Sequence, residues 1–130
     1  MLERDGFRIV HFTVQSNHLH IIVEARDTMA LARGMQALSI RVAKAVNRIL
    51  ERRGPVFADR YHAHALRTPR ETANAIAYVL GNSHIHAARR GHTIRPDAID
   101  PLTSAANRHL VAQPHTWLLR IGWTLGLPDG

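Results

Sequence analysis

The first quarter of the chain carries its apolar residues in the manner of β-strands. "FRIVHF" at 7–12 runs into 13–25, rich in Val, Ile and Leu, and reads as one strand, or as two broken near Gln15–Asn17. The period then changes. In "MALARGMQALSIRVAKAVNRILER" at 29–52, Leu31, Met35, Leu38, Val42, Val46 and Ile49 recur at helical spacing, with Asp27 or Thr28 placed to cap the helix. Arg41, Lys44, Arg48 and Arg52 form a basic stripe on another of its faces, and "RRGPV" at 52–56 ends it with Gly and Pro.

"VFADRYHAHALRT" at 56–68 returns to a strand-like pattern, with an irregularity near Asp59. "TPRE" follows, with Thr68 as N-cap, Pro69 at the first helical position and Glu71 closing a capping box, which predicts a helix from 69 to about 88. Past Arg90 the periodicity fades. "GHTIRPDAIDPLTSAANRHLVAQP" reads as loop, and "HTWLLRIGW" at 115–123 as a short helix or an apolar docking segment. The order β–(β)–α–β–α predicts an α+β domain, an antiparallel sheet with helices packed on one face.

Composition narrows the function. At 130 residues the chain is one domain with room for a core, and it contains no cysteine, which excludes disulfides and thiolate metal sites. No apolar run approaches the ~20 residues of a membrane span and no signal-peptide pattern is present, so a soluble, cytoplasmic protein without a membrane partner is expected. Seventeen Lys+Arg against ten Asp+Glu give a net charge of +7, and Lys44 alone among the seventeen is a lysine. Arginine binds phosphate bidentately and stacks on bases, so nucleic acid is the leading partner; GC-rich codon usage is the bland source of the same bias.

Ten histidines include three His-x-His pairs. On a helix, residues two apart diverge by about 200° around the axis, so His84 and His86 cannot share a site. His62 and His64 could converge on a strand, but Ala63 and Ala65 make a weak buried face behind them. His18 and His20 share one face of the firmest strand in the chain, with Leu19 and Ile21 on the other. Buried imidazoles there need partners, so the pair is satisfied by neighbours, faces solvent, or binds something. On the capped helix, Asn74, Tyr78, Asn82 and His86 follow one another at four-residue spacing. That stripe suits a solvent-facing surface, and it equally sets a phenol one turn from a carboxamide.

Taken together, "NHLH" at 17–20, the basic helix, "GPVFADRYHAHALRT" and "AYVLGN" on the capped helix resemble the single-tyrosine HUH transposases, and among them the REP-associated tyrosine transposases. The resemblance covers roughly residues 7–90 and makes 1–90 a partial catalytic domain; 91–130 is then a loop-rich C-terminal extension in which "TWLLRIGW" resembles a tail of some members. It implies a ferredoxin-like sheet, a divalent metal held by His18 and His20 with Asn82 completing the site, and Tyr78 as nucleophile on single-stranded or hairpin DNA. Imidazole chemistry alone suggests zinc or manganese; the resemblance implies Mg²⁺ or Mn²⁺. Tyr61, the other tyrosine, matches a strand position of the family. Arg41, Lys44, Arg48, Arg52, Arg60, Arg67, Arg89 and Arg90 become candidates for backbone contact.

Relatives carry a further strand and helix before the stretch matching "FRIVHF". With that central strand missing, two sheet edges and apolar surface are expected to be exposed. A misplaced gene start, a partner chain such as a second copy in a homodimer, or a decayed gene would each account for it. A non-catalytic DNA- or RNA-binding domain and a metal hydrolase using an activated water are the competing functions.

Overall fold

A computed structural model describes residues 3–4, 6–15, 18–58, 60–89 and 103–127, with the backbone alone for 3–4 and 82–89. The fold is α+β. β1 (Glu3–Arg4), β2 (Phe7–Val14) and β3 (Leu19–Ala25) form an antiparallel sheet in that order, so the first apolar stretch is two strands; Ser16 and Asn17 between them lie outside the described residues. α1 is Thr28–Ile49, α2 is Pro69–Arg89, and the short α3 is Trp117–Arg120.

Register explains the layering. β2 and β3 pair Ile9 with Val23 and then His11 with Ile22, so the ladder is interrupted at Val10. The extra residue shifts the alternation of β2, leaving apolar side chains on both sheet faces. Phe7 and Ile9 meet Met35, Leu31 and Leu38 of α1 together with Ile21 and Val23. Val10 and Ile22 meet Ile76 and Val79 of α2 and Leu119 of α3. The two long helices thus divide between the faces, where one shared face was expected. Each apolar face needs its own cover.

Both helix starts follow their caps. Asp27 is the N-cap of α1, its Oδ1 accepting from the Ala30 amide at 2.7 Å. Thr68 Oγ1 accepts from the Glu71 amide at 3.1 Å and donates to Glu71 Oε1. α1 approaches β2 closely at Gly34, where a Cβ would stand 2.2 Å from the Phe7 ring. Its 22 residues span about 33 Å against about 23 Å for the seven of β3. The C-terminal turns are correspondingly exposed, Ile49 at 72% and Leu50 at 64%.

Residues 56–68, expected as a strand, carry none among the described residues, and Asp59 lies outside them. A strand exists only when its backbone finds a ladder, and none is recorded here for this segment. The edge of β2 beyond β1 is covered rather than exposed. Ser104 donates its amide to the Phe12 carbonyl (2.9 Å) and accepts from the Phe12 amide through Oγ (3.0 Å), and the Ala112 amide donates to Ile9. Thr13 bridges Thr103, and both are fully buried. The segment read as loop therefore satisfies the sheet's open edge.

A second clamp holds the tail. Glu24, 5% exposed, accepts from Arg8 at 3.1 Å, from the His115 and Thr116 amides at 2.8 and 2.7 Å, and from the Thr116 hydroxyl. Burial pushes its pKa up, but these bonds outweigh it and hold the carboxyl below its ordinary range. His11 is held below the usual imidazole value, first by burial and then by Arg108. No described helix is long and apolar enough to cross a membrane.

Two predictions follow from this packing. Gly34→Ala should cost about 1–3 kcal/mol through overpacking against Phe7, read from denaturant midpoints; unchanged stability would refute the close approach. Glu24 and His11 both bind fewer protons folded than unfolded, so stability should fall on acidification, first through the His11 range and then as Glu24 protonates. Glu24→Gln should lose about 1–3 kcal/mol at neutral pH, and the gap to wild type should close as pH drops into the carboxylate range. Melts from pH 8 to 3 test this, and a gap independent of pH would contradict it.

Candidate active site

Alternation along β3 places His20, Ile22 and Glu24 on one face, the face that α2 covers, and His18, just before the strand, stacks on His20. The two imidazoles lie nearly parallel, 9° apart in plane with centroids 5.9 Å apart. From α2, Tyr78 sets its ring at 89° to that of His20 with centroids 5.4 Å apart. Tyr78 is 46% exposed, His20 is half-buried and His18 is exposed, so the cluster borders solvent. Ile76 and Val79, buried on either side of Tyr78 in sequence, fix the rotation of α2 that turns the phenol toward the histidines.

Asn82 follows Tyr78 by one turn of α2, so its backbone lies at the same end of the sheet; its side chain is outside the described residues. Asn74 is exposed one turn earlier. His62 and His64 are both exposed, and His64 Nε2 meets Glu71 Oε2 at 3.1 Å, which fastens the chain leading into α2. Glu71 is held below its ordinary pKa chiefly by that bond. Tyr61 is exposed in the irregular segment.

The cationic candidates Arg41, Lys44, Arg48, Arg52, Arg60 and Arg67 are all exposed. The stripe of α1 belongs to the helix on the opposite sheet face. The side chain of Arg89, and Arg90 altogether, lie outside the described residues.

The other strand of the hairpin contributes two residues that sequence patterning missed. Thr13 pairs with His20 in the register, and the Gln15 amide donates to the His18 carbonyl at 2.8 Å. The Gln15 side chain lies beside Thr13, its Nε2 donating to Thr13 Oγ1 at 2.8 Å. The available signal was the alternation of Thr13 and Gln15 against His20 and His18, which shows only once the stretch is divided into two strands.

Two stacked imidazoles suit a divalent cation. Among the described residues no third His, Cys, Asp or Glu joins them.

The chain has a counterpart among known families. Residues 1–86 match the family model described as Transposase IS200 like, and the chain belongs to that family. Comparison with curated proteins and with solved structures gives no match.

The ring packing makes a direct prediction. Tyr78→Ala should move the His20 ring resonances more than those of His18, whereas Tyr78→Phe should leave both nearly in place. Equal displacement of both histidines would contradict the edge-on contact.

Proposed function

We propose that this transposase cleaves and rejoins single-stranded DNA, commonly folded as a hairpin, through a covalent intermediate on Tyr78. The observation that carries the reading is the edge-on packing of Tyr78 against His20, with His18 stacked beside it. It brings a candidate nucleophile and candidate metal ligands from two distant parts of the sequence to one solvent-bordered cluster.

His18 and His20, with the Asn82 carboxamide, are the residues that would hold Mg²⁺ or Mn²⁺. Such a cation supplies Lewis-acid polarisation of the scissile phosphate and fixes its orientation. Tyr78 Oη gives up its proton and attacks the phosphorus. The phenolic P–O bond forms as the P–O3′ bond breaks, and the departing 3′ oxygen takes up a proton to become a hydroxyl. The 5′ phosphate stays on Tyr78. Attack by another 3′-hydroxyl reverses the step and joins a new strand, so the bond energy is kept and no nucleotide cofactor is consumed.

The packing of the phenol serves this role. The buried flanks Ile76 and Val79 restrict the helix from rotating, and the half-exposed ring leaves the hydroxyl within reach of a strand. Exposed Arg41, Lys44, Arg48, Arg52, Arg60 and Arg67, with Arg89 and Arg90, are proposed to contact the DNA backbone, an interaction that weakens steeply with salt.

The test is a denaturing gel of the protein with fluorescent hairpin DNA and Mn²⁺. A covalent adduct should form, and should vanish with Tyr78→Phe and with chelator. Cleavage that survives Tyr78→Phe without adduct would assign a hydrolase, and binding without cleavage a non-catalytic DNA-binding domain.

A further inference from the structure

The C-terminal segment carries two tryptophans that the fold treats differently. Trp123 is partly buried and packs against the cluster of Val10, Ile22, Ile76, Val79 and Leu119, whereas Trp117, the first residue of α3, is 54% exposed. Trp117 is nonetheless held. A Cβ on the buried Gly122 would stand 2.6 Å from Cζ3 of the indole, 2.8 Å from Cε3 and 3.0 Å from Cη2. Three neighbouring ring atoms at nearly equal distance place that point over the flat of the ring. Off the ring's edge, the two atoms flanking Cζ3 would lie much farther away than Cζ3 itself. One face of the indole therefore rests on Gly122, at an approach that only glycine permits, and its other face and rim meet solvent.

The support under the ring is fixed. Leu119, two residues on, is buried beside Ile76 and Val79 of α2. Ahead of α3, Glu24 accepts from the amides of His115 and Thr116 at 2.8 and 2.7 Å. The 3₁₀ turn Gly122–Gly126 runs on to the start of α2, where Gly126 lies against the backbone of Pro69 and Arg70. A flat apolar plate held in this way loses little freedom when a ligand lands on it.

The charge around the plate has one sign. Residues 103–127 include Arg108 and Arg120 and neither aspartate nor glutamate. Arg120 is exposed on the same turn as Trp117, and Arg70 is exposed where Gly126 meets α2. Glu24, which grips the segment, is buried and paired with Arg8. An aromatic face rimmed by guanidinium groups suits a polyanion whose units have flat faces of their own, as a single nucleic-acid strand has. A second copy of the chain, itself at +7, would bring like charge to the same surface.

From this we infer that Trp117 is a stacking platform for one base of single-stranded DNA, with Arg120 on the adjoining phosphate. The inference rests on the single-stranded DNA reading proposed above and adds a subsite to it. Glu24, which holds residues 115 and 116, lies four residues along β3 from His20, about 13 Å. The base on Trp117 is therefore a few nucleotides from the phosphate at Tyr78.

The experiment is fluorescence anisotropy of the full chain on a labelled hairpin DNA with a single-stranded thymine flank, with chelator present so that no strand is cut. Trp117→Ala should weaken binding roughly five- to hundredfold, the range for losing one base–aromatic stack. Trp117→Phe keeps an aromatic face and should recover most of that loss. Gly122→Ala should weaken binding too, because its methyl group takes the seat of the indole. On the same hairpin with an abasic flank, wild type and Trp117→Ala should bind alike. Arg120→Ala should lower the salt slope by about 0.7, and Trp117→Ala should leave it unchanged. Circular dichroism melts show whether each variant is folded. If Trp117→Ala is not, tryptophan emission carries the test: the thymine flank should quench it in wild type, and the quenching should be lost in Trp117→Phe.

The failures are separable. Trp117→Ala that binds the thymine flank as wild type does, or loses affinity equally for thymine and abasic flanks, overturns the stacking assignment; an adduct still formed on Tyr78 leaves the cleavage reading standing. Trp117→Ala that converts a dimer to a monomer in sedimentation, with affinity for the flank unchanged, assigns the indole to a protein contact and overturns it as well. Wild-type protein that binds neither hairpin overturns both readings.

Discussion

The α2 side of the molecule depends on the two-residue repeat of β3. His20, Ile22 and Glu24 project from the same face, and each does a different job. His20, with His18 stacked on it, makes the candidate site with Tyr78. Ile22 packs into the core with Val10, Ile76 and Val79, which seats α2. Glu24 grips the amides of His115 and Thr116 at the far end. Shifting β3 by one residue against β2 would turn all three over, losing site, core and clamp together. The interruption of the ladder at Val10 is part of this arrangement, because it lets β2 present apolar residues to both helices.

The C-terminal segment is bound into the same structure. Residues 103–112 hydrogen-bond to β2 on the edge that β1 leaves open, and 115–123 are held by Glu24 and by the packing of Leu119 beside α2. Gly126 lies so close to the backbone of Pro69 and Arg70 that a Cβ there would stand 2.3 Å from the Pro69 carbonyl oxygen. The tail thus braces the start of the helix that carries Tyr78. The family match ends at residue 86, before this segment, yet two of the fully buried threonines, Thr13 and Thr103, meet across the junction between the two parts.

Local signals were legible in the sequence, and long-range pairings were not. The helix of 29–52 and the capped helix from 69 announced themselves through periodicity and through Asp27 and Thr68, whose caps need only neighbours in sequence. The strands 7–14 and 19–25 were readable for the same reason. Residues 56–68 show why a strand pattern is insufficient: side-chain alternation sets a preference, but a ladder partner decides. The division of the helices between two faces followed from one extra residue at Val10, invisible in composition. His18, His20 and Tyr78 could be nominated as a set through resemblance, whereas Gln15 and Thr13 could not, since their relation to the histidines exists only in the register of the hairpin. The Glu24 clamp spans 91 residues to His115 and left no local trace.

The central claim is the identity of the nucleophile, and mass spectrometry of a trapped protein–DNA adduct tests it most directly. Trypsin cleaves after Arg60, Arg67, Arg70 and Arg89, so Tyr61 falls in the peptide 61–67 and Tyr78 in the peptide 71–89. After nuclease digestion, a nucleotide joined through its 5′ phosphate should remain on the 71–89 peptide, at Tyr78. A remnant on 61–67, or on any residue other than Tyr78, would contradict the account.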